Sequence, residues 1–233
     1  MQPHFFHPVL SDSGSGSFGD VLAGMYYAAD IGCEVANMSL GASFPLSADN
    51  GPNRLTGAMT QAAIYARSHG TTIIAAAGND STNFNQTADL VHLPSSLSQV
   101  TSISATAPRG FYAVGGSDVD YLASYSNYGS QGIDFSAPGG DWVYPGNELC
   151  TVVISRPCWV LDFVFSTGNG GWYWSVGTSM ASPHAAGVAA LIISETGDST
   201  PARVQAELRA RALDLGMPGR DHVHGRGAVN SGH

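Results

Sequence analysis

Residues 177–184 read Gly-Thr-Ser-Met-Ala-Ser-Pro-His and run into Ala-Ala-Gly-Val-Ala-Ala-Leu-Ile-Ile at 185–193. The second stretch is apolar on every face, which predicts a helix packed inside the protein. Pro183 lacks an N–H and fits best near a helix start, and Thr178 is a suitable N-cap. The helix is therefore expected to begin close to Ser179, where its first N–H groups and its positive dipole end favour the negative charge that develops in acyl transfer.

The same octapeptide closely resembles the nucleophile motif of the subtilisin-like serine proteases, the subtilases. A capped core helix with an incidental serine is the alternative, and the length of the match argues against it. The nucleophile elbow of the α/β-hydrolases, Gly-x-Ser-x-Gly, does not fit because its fifth position is Ala181. The resemblance implies an α/β fold of three layers, with helices on both faces of a mostly parallel central sheet, and Ser179 as the nucleophile.

The rest of the chain alternates apolar runs with helical segments, which predicts parallel strands covered by helices. The predicted strands are residues 5–10, 35–40, 72–76, 99–104, 121–125 and 133–136. The predicted helices are residues 19–31, 55–68, the segment from 179 onward, and 201–212. Residues 142–174 are expected to form an irregular excursion. With 233 residues, 43% of them hydrophobic, and no repeat or linker, the chain is expected to be one domain, residues 1–233.

A polar side chain follows the apolar strand at 72–76. Residues 75–80, Ala-Ala-Ala-Gly-Asn-Asp, resemble the subtilase segment that supplies the asparagine of the oxyanion hole. The resemblance implies that Asn79 and the backbone N–H of Ser179 donate hydrogen bonds to the tetrahedral intermediate. Four neighbouring residues are expected to border the substrate, namely Ala76, Ala77, Gly78 and Thr178.

Two further segments resemble the walls of the family's substrate groove, one ending a strand at residues 37–41 (Asn-Met-Ser-Leu-Gly) and the other glycine-rich at residues 9–18. The resemblance implies that they hold an extended peptide as an added strand, through Gly14, Ser15, Gly16, Ser39, Leu40 and Gly41. Residues 14–19 also match the dinucleotide-binding pattern Gly-x-Gly-x-x-Gly, but Glu34 lies closer than the usual spacing of about 20 residues. Residues 124–129, 135–139 and 225–230 extend the resemblance over nearly the whole chain.

The motifs for the other two members of the triad are absent. A subtilase orders its triad as Asp, His and Ser, in Asp-Ser/Thr-Gly and His-Gly-Thr-His settings, and neither setting occurs in this sequence. The resemblance therefore implies the C-terminal part of a catalytic domain, with N-terminal strands missing and no activity by itself. A non-catalytic subtilase-like module that binds peptides is the second hypothesis.

Three histidines are predicted to lie outside the catalytic machinery. His69 falls on the wrong side of the family order and is predicted to lie at the end of a helix, before Gly70. His184 lies about 140° around the helix from Ser179 and is predicted to be a core histidine. His92 aligns with a segment that borders the family's primary specificity pocket and is predicted to be an ordinary loop histidine.

The composition bears on partners and cofactors. Nine arginines face 18 acidic residues, and the net charge of −9 argues against a nucleic-acid partner. No apolar run has the length of a membrane span. The expected partner is a peptide or protein substrate, and the sequence indicates no oligomeric state. No cofactor is predicted; calcium is common in the family, but Asp12 and Asp141 are as readily explained as solvated carboxylates.

Three cysteines bear on the compartment. Cys150 and Cys158 flank a short loop and are predicted to form a disulfide, with two buried thiols as the alternative. A disulfide indicates an oxidising compartment, as expected for an extracellular or periplasmic protein. Cys33 precedes a strand and is predicted to be a small core residue.

Overall fold

The computed structural model describes residues 9–11, 13–46, 50–114, 118–143, 146–151, 153–168 and 170–232. Its strands are β1 (Val35–Met38), β2 (Ala42–Pro45), β3 (Thr72–Ala76), β4 (Leu90–Leu93), β5 (Val100–Ala107), β6 (Tyr121–Leu122), β7 (Phe135–Pro138), β8 (Leu149–Thr151), β9 (Ser155–Pro157), β10 (Val164–Gly168) and β11 (Gly171–Ser175). Its α-helices are α1 (Phe18–Asp30), α2 (Asn50–Ser68), α3 (Phe111–Val114), α4 (Thr178–Thr196) and α5 (Pro201–Arg211), and a 3-10 helix spans Cys158–Asp162.

The central sheet is built around β5. Strand β3 pairs with β5 and with β1, β7 pairs with β5, and all three pairings are parallel. Among the described strands of this sheet, only the two-residue β6 runs antiparallel, at the end of β5. Every residue of β5 and of β3 is buried, as expected for parallel strands that are covered on both faces.

Helices cover both faces of the sheet. On one face, α1 and α2 pack their apolar residues against Ile73 and Ala75 of β3. On the other, α4 and α5 pack against Ile74 and against β5 and β7. Successive residues of β3 thus point to opposite layers, as the pleat of a strand requires. The predicted three-layer α/β fold with a mostly parallel sheet is confirmed.

Most predicted elements match observed ones, with shifts at their ends. The strand at 72–76 matches β3, the one at 121–125 is shortened to β6, and the one at 133–136 begins two residues later, as β7. The predicted strand at 5–10 falls mostly outside the described residues, and Val9 and Leu10 are not part of a strand. The sequence also gave no signal for β2 and β4, which pair antiparallel beside the sheet.

The excursion before α4 is more regular than expected. It contains two antiparallel hairpins, β8–β9 and β10–β11, and a disulfide joins Cys150 to Cys158 across the first of them. The predicted bond is therefore present. Cys33 is a free thiol and only half-buried, so it is not the core residue that was expected.

Helix α4 differs from its prediction at its start and on one face. Its N-cap is Gly177, not Thr178, which is the first helical residue. Ala181, Ala185, Ala189 and Ile192 are buried, but a stripe on the opposite side is exposed. This exposed stripe of α4 consists of Pro183, His184, Gly187, Ala190 and Leu191. The helix therefore lies against the sheet with one apolar side uncovered.

Candidate active site

Ser179 lies in the first turn of α4, where helical N–H groups lack carbonyl partners within the helix. Gly177 precedes it with a φ of 147°, a backbone conformation that favours glycine, and Gly177 accepts from the N–H groups of Met180 and Ala181. The Ser179 side chain is half-buried, and its hydroxyl donates to the backbone carbonyl of Ser39 at 3.3 Å. The hydroxyl is thus held at the surface end of the helix.

The side-chain amide of Asn79 lies beside the start of α4. Its Oδ1 accepts hydrogen bonds from the backbone N–H and from the hydroxyl of Thr178, both at 2.9 Å. Because two donors fix Oδ1, the Nδ2 group faces the other way, 3.8 Å from where a Cβ on Gly177 would lie. Asn79 is exposed, and no described residue accepts a hydrogen bond from its Nδ2. A free N–H₂ donor and the first turn of α4 therefore face the same space.

Ser39 ties the end of β1 to the same helix. Its hydroxyl donates to the carbonyl of Ser179 at 2.8 Å and lies 3.0 Å from the hydroxyl of Ser182. The side chain of Asn37 donates to the Ser39 hydroxyl at 2.9 Å. Ser182 and Asn37 are positioning residues that the sequence reasoning missed, because nothing local to either residue shows that β1 and α4 meet.

Four residues predicted to border the substrate also have structural tasks. Thr178 is fully buried, and its hydroxyl accepts from the N–H of Gly78 at 3.1 Å while donating to Asn79. Ala76 and Ala77 are buried, and the Ala77 N–H and carbonyl are both used inside the protein. The Gly78 carbonyl accepts from Asn127. Thr178 and Gly78 thus help to hold Asn79 in place beside α4.

The two predicted groove segments do come together. A groove of about 290 Å³ lies between the turn at residues 14–16 and the end of β1. The turn is closed by Gly14 and Ser11, whose backbone groups bond at 2.8 Å, and Gly14 has a φ of 75°. The groove is lined by Leu10, Gly14, Ser15, Gly16, Phe18, Val21, Ser39, Leu40, Gly41 and Ala42. Leu40 lines the groove and also packs on the core.

Comparison with known proteins shows the family of this chain. The family model described as the subtilase family, Peptidase S8, matches residues 6–227. The chain belongs to the subtilase family. An extracellular protease of Xanthomonas campestris pv. campestris is 36% identical over 183 residues, covering 77% of this chain and 25% of that protein. Subtilisin DY of Bacillus licheniformis is 31% identical over 223 residues, covering 95% of this chain and 64% of the subtilisin.

Solved structures agree with the sequence comparison. The crystal structure of a lanthipeptide protease aligns with a TM-score of 0.76 and 31% identity, over 96% of this chain and 66% of that one. The related subtilases are serine proteases. This subtilase chain spans at most about two thirds of the length of these relatives.

The three histidines that the sequence analysis singled out, of eight in this subtilase, lie in different surroundings. His69 follows α2 with its Nδ1 2.9 Å from the Tyr65 carbonyl, at a helix end as predicted. His184 is exposed and bonds the Met180 carbonyl at 2.7 Å, so it is not a core histidine. His92 is not a loop residue either, because it lies in β4 and is 3% exposed. Among the described residues, none of the three is hydrogen-bonded to Ser179.

Of the two carboxylates considered for calcium, Asp141 has a structural role. Asp141 is buried rather than solvated, and it accepts from the Ser124 backbone and hydroxyl and from the Trp142 N–H. Asp12 lies outside the described residues. Within the described ranges, no three His, Cys, Asp or Glu side chains form a group that could hold a metal ion.

Across the same ranges, no helix combines the length and apolar character that crossing a bilayer demands.

Proposed function

We propose that this chain supplies the nucleophile, the oxyanion donors and the peptide groove of a subtilisin-like serine endopeptidase. The observation that carries the proposal is the pairing of Asn79 with Thr178, which aims a free amide donor at the start of the helix that bears Ser179. A carbonyl attacked by the Ser179 hydroxyl would develop its negative charge between Nδ2 of Asn79 and the N–H of Ser179. In subtilisin itself, losing the equivalent donor costs on the order of 10² to 10³ in turnover.

The groove gives the substrate its direction. An extended peptide lying between residues 14–16 and residues 39–41 would pair with backbone on both sides, as an added strand does. One lining residue of this groove is Ser39, which contacts Ser179 directly. A peptide held there would therefore present a carbonyl to the nucleophile, and we propose peptides or proteins as the substrates.

The proposal includes a missing base. Acyl transfer requires a group that takes the Ser179 proton and later gives it to the leaving amine, and a backbone carbonyl such as that of Ser39 cannot do so. By resemblance to the family, a histidine oriented by an aspartate would do this work. Neither motif occurs in these 233 residues. We propose that residues 1–233 are a truncated single catalytic domain that is inactive alone.

A non-catalytic peptide-binding module is the second candidate. The groove and the Asn79 donor support the binding module as well as they support the enzyme, since both would bind a peptide whether or not it is cleaved. An extracellular or periplasmic location goes with either function, and two observations support it: the disulfide between Cys150 and Cys158, and the name of the extracellular relative.

The test compares the chain with its Ser179→Ala variant on a general fluorogenic peptide, alongside calorimetric peptide binding. We expect peptide binding by both proteins and no turnover above the variant's background. Turnover that disappears in Ser179→Ala would contradict the missing base, and absence of any peptide binding would contradict the groove. The upstream coding sequence separates the two candidates: an in-frame extension with Asp and His motifs supports the enzyme, and a start signal there supports the binding module.

A further inference from the structure

Three exposed aromatic rings lie together on the hairpin β10–β11. Phe165 and Trp174 are cross-strand partners, and Trp172 pairs with Thr167, so the three aromatic side chains project from the same face of the hairpin. The Phe165 ring centroid lies 4.8 Å from that of Trp174 and 5.5 Å from that of Trp172. Trp172 is 68% exposed, and the other two rings are about half exposed. These three rings, here called the aromatic patch, form one contiguous apolar surface that is open to solvent.

The preceding hairpin, β8–β9, exposes aliphatic side chains. Val153 and Ile154 lie at its turn and are 91% and 53% exposed, and Leu149 is exposed at its open end. The 3-10 helix links this hairpin to β10, so both hairpins belong to one excursion from the central sheet. Single apolar residues on a surface are ordinary, whereas apolar residues gathered on one segment indicate an interaction site.

This excursion carries almost no charge. Residues 149–175 contain only two residues of the types Asp, Glu, Lys and Arg, namely Arg156 and Asp162. Asp162 is 2% exposed and accepts from the backbone N–H groups of Gly110 and Phe111, so Arg156 is the one charge at the surface. The chain as a whole has a net charge of −9. The excursion therefore complements a partner that is neutral overall and apolar beneath its surface.

We propose that the aromatic patch and the turn of β8–β9 bind the interface of a zwitterionic lipid bilayer. Tryptophan favours the boundary between headgroups and acyl chains, because its ring is apolar while its indole N–H is polar. Aliphatic side chains such as Val153 gain free energy when they enter the acyl boundary. Neither contact needs a basic residue, and a net negative protein is repelled by anionic lipid. This inference does not depend on the proposed function.

Two other partners fit the same surface less well. A neutral polysaccharide stacks its sugar rings on aromatic side chains, but it gains little from exposed aliphatic ones such as Val153 and Leu149. A second copy of this chain would need a surface with a polar rim, in which arginine is typically enriched, and Arg156 is the only arginine of the excursion. Binding to either partner is an outcome of the experiments below.

The main experiment is co-sedimentation with phosphatidylcholine vesicles, with tryptophan emission recorded in parallel. We expect saturable binding and an emission shift to shorter wavelength in the wild type. Trp172→Ser and Val153→Ser should each lower the partition coefficient by about fivefold or more, because each removes apolar surface from the contact. Leu191→Ser is the matched control, since Leu191 is equally apolar and 58% exposed on α4, and it should leave binding unchanged. Absence of binding to these vesicles overturns the proposal, as does binding that both hairpin variants retain.

Three further measurements separate the alternatives. Vesicles that also contain phosphatidylserine should bind more weakly, and tighter binding to them would contradict a contact that needs no positive charge. Light scattering without lipid should show no dimer that depends on Trp172, and a dimer lost in Trp172→Ser overturns the proposal in favour of a second copy. Retention on insoluble cellulose that is lost in Trp172→Ser, together with no vesicle binding, assigns the aromatic patch to a polysaccharide instead.

Discussion

At the scale of single residues, the site depends on one buried hydroxyl. Thr178 accepts a hydrogen bond from Gly78 and donates one to Asn79, so it joins the end of β3 to the start of α4. Sequence reasoning selected Thr178 as a helix cap, because threonine before an apolar run is typical of that role. Its actual partners are 99 and 100 residues away in the chain, which no local pattern could indicate.

We predict that Thr178→Val destabilises the protein although it preserves the shape of the side chain. The change leaves the buried N–H of Gly78 without a partner and removes one of the two donors that orient Asn79. The free energy of unfolding should fall by about 1–3 kcal/mol, measured by urea denaturation. Thr56→Val is the control, since the hydroxyl of half-buried Thr56 donates to a carbonyl within its own helix, α2. Equal losses in the two variants would contradict the special role of Thr178.

At the scale of elements, α4 has a similar composition on its buried side and on its exposed side. Its buried and exposed sides are both made of small and apolar residues, so its sequence gives almost no amphipathic signal. The side that is covered is decided by the sheet, through contacts with β1, β3, β5 and β7. The exposed stripe of α4 therefore contributes less to the stability of this chain than its hydrophobicity suggests.

Two adjacent residues in α4 test this interpretation. Leu191 is 58% exposed, whereas Ile192 is fully buried in the cluster that joins α4 to the sheet. We expect Ile192→Ala to lower the free energy of unfolding by about 2–5 kcal/mol, because it leaves a cavity in the core. Leu191→Ala should cost no more than about 0.5 kcal/mol. Similar costs in chemical denaturation would mean that both faces of the helix are covered in solution.

At the scale of the whole molecule, buried histidines make stability depend on pH. Burial lowers the pKa of His92 and of His224 below the ordinary value of 6.5, against the opposing charges of Asp80 and Asp221 respectively. As the pH falls through 6.5, the unfolded chain binds protons that these two buried rings do not yet accept. Because the unfolded state then holds more protons, stability decreases as the solution becomes more acidic.

We predict a lower free energy of unfolding at about pH 6.0 than at about pH 7.5, measured by urea denaturation. His224→Gln should reduce this difference, because it removes one of the two contributions. His184→Gln changes an exposed histidine and should leave the difference intact. Burial also raises the pKa of Asp120 and Asp162 above their ordinary value of 3.8. These raised pKa values make the free energy of unfolding fall as the pH rises from 3.8, which is opposite to the effect of the histidines. A free energy that stays constant or rises between the two pH values would contradict the prediction.

The sequence predicted the three-layer fold, because alternating apolar strands and helices leave few other ways to bury their surfaces. The resemblance to the subtilases also singled out Ser179 and Asn79, since each lies in a motif that is contiguous in the sequence. The boundaries of β6 and β7 were less predictable. Strand ends depend on where a neighbour stops pairing, and in this sheet β3, β6 and β7 all pair with parts of one long strand, β5.

The amino-acid sequence by itself determined the layers and the residues that resemble a nucleophile and an oxyanion donor. Only the tertiary structure decided how those residues are held: Asn79 by Thr178, Ser39 by the Ser179 carbonyl, and His92 by Ser43 between two glycines. The physical reason is the sequence separation between the interacting residues. Propensity and periodicity act between neighbours along the chain, whereas the hydrogen bonds and contacts that shape the site join segments far apart in sequence, which only the completed fold brings together.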